Sequence, residues 1–358
     1  MKKIYLVLTS ILIALSLIAC AQSEKPEDNR ERVNILISTM HTYISGHVYV
    51  EPDLKDEVIS GIEDIFDLYN DLTDNFVQQG DVKGIYYINQ QAELSEVEAT
   101  VEIEKELYDL LQLGLDVMEE TNGYFDMTIG KIVQVWKDLI DEIKQDEIVS
   151  EERLNQVYQA VDAIVLPEDP IHLFESEGKY FVTLKHGASL DLGAIAKGYA
   201  VQRVVEYIES KGIKSYLISG GSSSIVFGKN NPRTANGDYV IELVNPLNPV
   251  VFGGYAEYDG QNKSITTSGS YEQYVEDAQG NWYHHIISPK TRRPANYYYT
   301  LTIIGQDAGL LDAYSTALFC MDSNQVEDFL KDKGIEAASF NLDSTVTTYF
   351  MGSGYRPK

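Results

Sequence analysis

With 358 residues, 44% of them hydrophobic, the chain can bury the core of one large domain or two small ones. Its formal net charge of −27 argues against nucleic acid as a partner, because that binding neutralises phosphates with basic patches. A bound polyanion would need local positive charge to offset this background, and the composition shows no sign of disorder or a coiled coil.

Lys2 and Lys3 precede an apolar run from Ile4 to Ala19, which is short for a bilayer span and shaped like a signal peptide. The run ends Leu17-Ile18-Ala19-Cys20 and resembles the bacterial lipobox, in which the cysteine is lipidated and becomes the mature N-terminus. An ordinary signal peptide with a chance cysteine is the competing reading. The expected division is a signal peptide over 1–19, a lipidated Cys20 with a polar tether over 20–32, and one domain over 33–358. That arrangement places the protein outside the cytoplasm, tied to the bacterial cell membrane through lipid on Cys20. The second cysteine, Cys320, sits in an apolar run that reads as buried helix, so no disulfide framework is expected.

Residues 33–50 alternate enough to read as a strand pair. Leu54, Val58, Ile62, Ile65, Tyr69 and Leu72 then recur at three- and four-residue spacing, an amphipathic helix. A second helix is expected over roughly 95–121, with Val101, Leu107, Leu111 and Met118 facing inward. Gly123 and Gly130 break the next stretch, and a polar helix-loop region runs to about Ala163. Residues 180–184 read as a strand and 189–192 as strand-like, after which Gly193 opens a helix carrying Ile195, Tyr199, Val204, Val205 and Ile208. Further strands are expected at 215–219, 239–244, 251–257 and 299–304, before a final helix at about 310–322. The mixed order of strands and helices, with no repeat, points to one α+β domain rather than a doubly wound sheet.

Four constellations could carry chemistry. Asp312 and Thr316 lie four apart on one helix, so their oxygens share a face. They are either hard ligands for magnesium or calcium or a helix cap with a back-bonded hydroxyl. Gly193-Ala194-Ile195-Ala196-Lys197-Gly198 follows a strand-like segment; small residues and a helix N-terminus suit an anion, and close packing with a solvated lysine is the alternative. Thr266-Thr267-Ser268-Gly269-Ser270-Tyr271, followed by His284-His285 and Ser288-Pro289-Lys290-Thr291, offers hydroxyls and a base, or an ordinary polar hairpin. On a strand the two histidines would point to opposite faces, so at most one serves a given site. Thr121 to Gly130, with Tyr124, Phe125 and Asp126, could bind a ring or be a turn.

Taken in order, these segments resemble the ApbE family of FAD:protein FMN transferases. The carrying motifs are TNGYFDMTIG (121–130), DLGAIAKGYA (191–200), SGG (219–221), TTSGSYEQY (266–274), HIISPKTRRP (285–294) and DAYSTALF (312–319), with Met40-His41-Thr42 similar to the family's opening M-G-T segment. The resemblance covers roughly residues 35–355. It implies a single α+β ApbE-like domain with mixed and antiparallel sheets flanked by helices. It also implies Mg²⁺ held by Asp312, Thr316 and the Ala194 carbonyl, and FAD as substrate contacting Met40, Asp126, Lys197, Ser268, Gly269, Tyr271, His285 and Thr291. His285 would be the general base and Lys197 would help stabilise developing charge. The partner implied is an acceptor flavoprotein whose Thr or Ser hydroxyl, within a flavinylation motif, receives FMN as AMP leaves.

The sequence departs from the family pattern at Ser288, where an aspartate is usual, at Arg292, where a glycine is usual, and at Ser222 to Ser224, where an acidic residue is common. Two other readings use the same residues: a Mg-dependent FAD pyrophosphatase giving FMN and AMP, and a non-enzymatic flavin-binding lipoprotein.

Overall fold

The computed structural model describes residues 29–358 apart from 144–146, 222, 236, 245–246, 248–250, 257–262, 353 and 358. The signal-peptide and Cys20 expectations therefore lie outside the described residues. Alternating apolar residues make β1 (Glu31–Thr39) and β2 (Thr42–Val50), which pair in register from Glu31↔Val50 to Thr39↔Thr42. Only Met40 and His41 join them, and both take left-handed φ values of 50° and 55°. A two-residue hairpin loop needs that twist to match its strands, although neither residue is a glycine.

The hairpin begins an eight-stranded sheet that continues through β3 (Tyr216–Gly220), β4 (Ser224–Phe227), β5 (Lys263–Gly269), β6 (Tyr298–Gly305), β7 (Glu336–Asn341) and β8 (Val346–Tyr349). Each neighbouring pair is antiparallel and the spatial order follows the chain. Smaller sheets are added around it, one containing a parallel pair between 276–277 and 148–149. The fold is a single α+β domain with mostly antiparallel sheets.

Among the described residues, eight α-helices flank the sheets: α1 (Lys55–Thr73), α2 (Ile85–Leu94), α3 (Lys105–Glu120), α4 (Gly130–Glu142), α5 (Glu151–Ala163), α6 (Ala196–Ser210), α7 (Ala308–Phe319) and α8 (Ser323–Leu330). In α1, Val58, Ile62, Tyr69 and Leu72 are buried as their spacing predicts, but Phe66 takes the place expected of Ile65, which is half-buried, and Leu54 lies just before the helix. In α7 nearly every residue is buried, and a helix apolar on all sides belongs inside a core. Fully burying side chains such as Val201, Val204 and Ile208 of α6, all at 0% exposure, contributes about 1.5–3 kcal/mol each. A second, smaller core between α4 and α5 surrounds Trp136, Leu139, Val157 and Val161.

Four expectations need correction. The helix expected over 95–121 is a strand, Glu98–Ile103, followed by α3. Residues 98–103 alternate in burial and pair with Lys179–Lys185, so Val101 faces the core from a strand. Residues 189–192 form no strand; Ser189 makes one isolated bridge to Ile129. Regular helix after it begins at Ala196, not Gly193, because Ile195 N and Ala196 N both donate to the Leu192 carbonyl in a tight turn. The helix expected at 310–322 is neither last nor so long: α7 stops at Phe319, and Asp322 starts α8 through a capping box with Gln325. Among the described residues no helix is long and apolar enough to cross a membrane.

Candidate active site

Where α6 meets α7, packing and chemistry coincide. A Cβ at Gly198 would lie 2.3 Å from the Ala308 carbonyl oxygen and 2.5 Å from Asp312 Cβ, so only glycine permits this approach. The contact brings Gly198 N to 2.8 Å from Asp312 Oδ2, while Ser224 Oγ donates to Oδ1 at 3.3 Å. Asp312 is 5% exposed, and burial raises its pKa, with Lys197 and the two hydrogen bonds opposing. A buried carboxylate is costly unless compensated.

In a regular helix the Gly198 amide would donate to the Ala194 carbonyl four residues back. It goes to Asp312 instead, and the Ala194 carbonyl has no hydrogen-bond donor among the described residues. Ala194, Asp312 and Thr316 all line one cleft of about 400 Å³. A carboxylate, a hydroxyl and an orphaned carbonyl are hard oxygen donors, and the set fits a Mg²⁺-like ion. No cluster of three or more His, Cys, Asp or Glu side chains suited to a metal occurs among the described residues, so a cation here would rest on one carboxylate plus neutral oxygens.

The turn leading into α6 is tied down at both ends. Asp191 Oδ1 accepts from Gly193 N at 2.8 Å, and Lys197 Nζ donates to the Gly193 carbonyl at 3.0 Å. On β5, Ser268 Oγ lies 2.8 Å from Ser315 Oγ, which itself donates to the Asp312 carbonyl at 2.9 Å. Ser268, Gly269 and Tyr271 all line the cleft, and the Tyr271 ring passes so close to Gly269 that a Cβ there would meet it at 2.6 Å.

The adjacent histidines face different ways, His284 closing the strand Trp282–His284 and His285 standing in the bend that follows it. His284 is 1% exposed; its Nδ1 accepts from Ile286 N at 3.1 Å and its Nε2 lies 2.6 Å from the Ala295 carbonyl. That pattern assigns the proton to Nε2, and burial lowers the pKa to about 4. His285 lines the cleft with its ring open to solvent there. The enclosing walls desolvate it and lower its pKa; Lys197 and Lys137 act the same way, while a backbone hydrogen bond with Gln273 and the charge of Glu272 oppose. A neutral imidazole in an open cleft can accept a proton.

The β1–β2 turn closes one side of the cleft. Asn70 Oδ1 accepts from Met40 N at 2.9 Å. His41 Nε2 lies 3.7 Å from Asp74 Oδ1, and its ring meets Phe76 edge-on at 5.4 Å. Asp74 is buried, which by itself raises its pKa, but hydrogen bonds from Phe76 N, Gln79 and Val77 N, with His41 nearby, bring it below the usual value. Asp126 holds the segment before α4 by accepting from Thr128 N and Thr128 Oγ1 at 2.8 and 2.7 Å.

The cleft thus gathers Met40, Asp126, Ala194, Lys197, Ser268, Gly269, Tyr271, His285, Asp312 and Thr316. Thr291 is not among its walls: it is exposed, and its Oγ1 accepts from Arg293 N at 3.3 Å in the following turn. Arg292 keeps the left-handed backbone suited to glycine, φ 58°, with its amide on the Ser288 carbonyl and its own carbonyl accepting from Trp136 Nε1. Its guanidinium turns to the Ile164 carbonyl at 2.9 Å. Asp74, Phe76 and Lys137 also line the cleft but belong to none of the sequence motifs. A local signal existed for Lys137, since Val133, Lys137 and Ile140 recur at helical spacing on α4.

A family model, the ApbE family, matches residues 40–339. The FAD:protein FMN transferase of Escherichia coli K12 is 26% identical over 243 residues, 65% of this chain and 64% of that protein, so the chain spans just under two thirds of that relative's length. The FAD:protein FMN transferase of Haemophilus influenzae is 24% identical over 362 residues, covering 95% and 91%. The crystal structure of the ApbE protein of Thermotoga maritima superposes with a TM-score of 0.72 at 21% identity, covering 89% of this chain and 97% of that one; this likeness concerns the fold.

Proposed function

The chain belongs to the ApbE family, and on that footing we propose that it is a Mg²⁺-dependent FAD:protein FMN transferase. It moves FMN from FAD to a Thr or Ser hydroxyl of an extracytoplasmic acceptor protein and releases AMP. The observation that carries this is the meeting of Ala194, Lys197, His285, Asp312 and Thr316 in one cleft, from three stretches far apart in the chain. Asp312, Thr316 and the Ala194 carbonyl would hold Mg²⁺, which when bound would supply positive charge to offset the pyrophosphate and ease the departure of AMP.

His285 takes the proton of the acceptor hydroxyl as that oxygen attacks the FMN-side phosphorus. The bond from that phosphorus to the AMP oxygen breaks, and its electron pair leaves with AMP. Lys197, held by the Gly193 carbonyl, offsets negative charge beside the carboxylates of the cleft. Met40, Asp126, Ser268, Gly269 and Tyr271 line the space left for the dinucleotide. The domain would hang outside the cytoplasm from a lipid on Cys20, after a signal peptide over 1–19 and along a polar tether over 20–32, within reach of membrane-associated acceptors.

Incubating the detergent-solubilised full chain with FAD, Mg²⁺ and a threonine-bearing acceptor protein should yield a covalently fluorescent acceptor and AMP. AMP without a labelled acceptor would replace this reading with the FAD pyrophosphatase, and unchanged FAD would remove both. Asp312→Ala should abolish metal-dependent turnover. His285→Ala should keep FAD bound and slow transfer by about 10²–10⁴-fold, the contribution of a general base.

A further inference from the structure

Lys137 projects from α4 into the cleft beside Val133 and Ile140. Its Nζ lies 5.4 Å from the centroid of the Phe76 ring, the same ring that meets His41 edge-on. The helix and this ring, from two separate parts of the chain, therefore place the ammonium at the cavity wall. Its ionic partner is Asp141, one turn along the same helix at 3.3 Å, with side chains 36% and 62% exposed. An exposed pair of that kind is weak, so the lysine is available to a better anion.

The cleft creates the need for one. Asp74, Asp126, Asp191, Glu272 and Asp312 put five carboxylates on its walls, whereas Lys137 and Lys197 are the only lysine or arginine side chains there among the described residues. On a chain of net charge −27, one lysine and one divalent ion leave a pyrophosphate poorly compensated. The charges of both lysines reach His285, since each lowers its pKa, so the base sits within the field of the two.

We propose that Lys137 is a phosphate-holding residue of this cleft: its ammonium leaves Asp141 for a phosphate oxygen of the bound flavin nucleotide while the side chain stays beside Phe76. The inference rests on the FAD reading above and makes the cleft selective for phosphorylated flavins over riboflavin. Flavin fluorescence titrations of the full chain in detergent with Mg²⁺ test it, using FAD and riboflavin as probes. Lys137→Met, which keeps an apolar stem beside Phe76, should weaken FAD roughly tenfold, the loss of one charge-assisted contact, and leave riboflavin unchanged. Lys137→Arg should restore FAD affinity.

Unchanged FAD affinity in Lys137→Met overturns the proposal, and so does an equal loss for FAD and riboflavin, which would mean packing rather than charge. The two levels separate cleanly. A wild-type chain that binds no FAD brings down the transferase reading and this proposal together, whereas a wild type that binds FAD and releases AMP beside an equally tight Lys137→Met brings down only the role of Lys137.

Discussion

Replacing Gly198 with alanine should damage stability and site together, because one backbone approach serves both. The added Cβ would sit 2.3 Å from the Ala308 carbonyl oxygen and 2.5 Å from Asp312 Cβ, atoms that no rotamer change can move away. The helices must separate, an overpacking cost of about 1–3 kcal/mol. Separation also breaks the 2.8 Å bond from Gly198 N to Asp312 Oδ2; a hydrogen bond to a charged group contributes roughly 1.5–3 kcal/mol. The better helix propensity of alanine returns about 1 kcal/mol, leaving a net destabilisation of about 1.5–5 kcal/mol. Gly309→Ala is the internal control: its Cβ would be 3.1 Å from Tyr199 Cα, tight but open to a small adjustment, so its cost should be less. Urea unfolding followed by circular dichroism measures stability, and AMP release from FAD reads the site. A Gly198→Ala protein within about 0.5 kcal/mol of wild type, with undiminished AMP release, would refute the idea that this contact positions Asp312.

Acid should destabilise the fold early. His284 is neutral when folded, with its pKa lowered from 6.5 to about 4, so the unfolded chain binds the extra proton and stability falls as pH drops between those values, by roughly 3 kcal/mol in full. Asp74, whose pKa is depressed when folded, adds a loss as pH falls through that depressed value. Urea midpoints measured from pH 7 to pH 5 should fall in the wild type and vary less in His284→Gln, which starts lower. Arg292→Gly should change stability by less than about 1 kcal/mol in thermal melts: it relaxes a left-handed residue and gives up one hydrogen bond to the Ile164 carbonyl, effects of similar size. Cys20→Ser should move the protein from the membrane pellet to the soluble fraction on cell fractionation; continued co-sedimentation with membranes would refute the lipid anchor.

How much was legible in sequence depended on range. Most of the α1 stripe, the strands expected at 215–219 and 299–304 and found at Tyr216–Gly220 and Tyr298–Gly305, and the one-turn spacing of Asp312 and Thr316 are set by neighbours within a few residues, and there the alternation and helical periods sufficed. Residues 98–103 show the limit. Set between helical runs, their short alternation resolves into a strand only through pairing with 179–185, a partner some eighty residues away. Likewise 189–192 has strand composition but no strand beside it beyond one bridge.

By itself, the sequence determined which residue types were present and in what local order: the ApbE motifs, a hydroxyl one turn after a carboxylate, glycines where backbones must approach. It could not determine which of these meet. That Gly198 donates to Asp312 across 114 residues, freeing the Ala194 carbonyl, depends on how closely α6 and α7 cross. That His285 faces the cleft and His284 the core, that Thr291 stays outside, and that Lys137 stands over Phe76 are likewise consequences of packing. Local propensity fixes backbone conformation over a few residues, whereas burial and close approach are decided by side chains from distant parts of the chain competing for the same space.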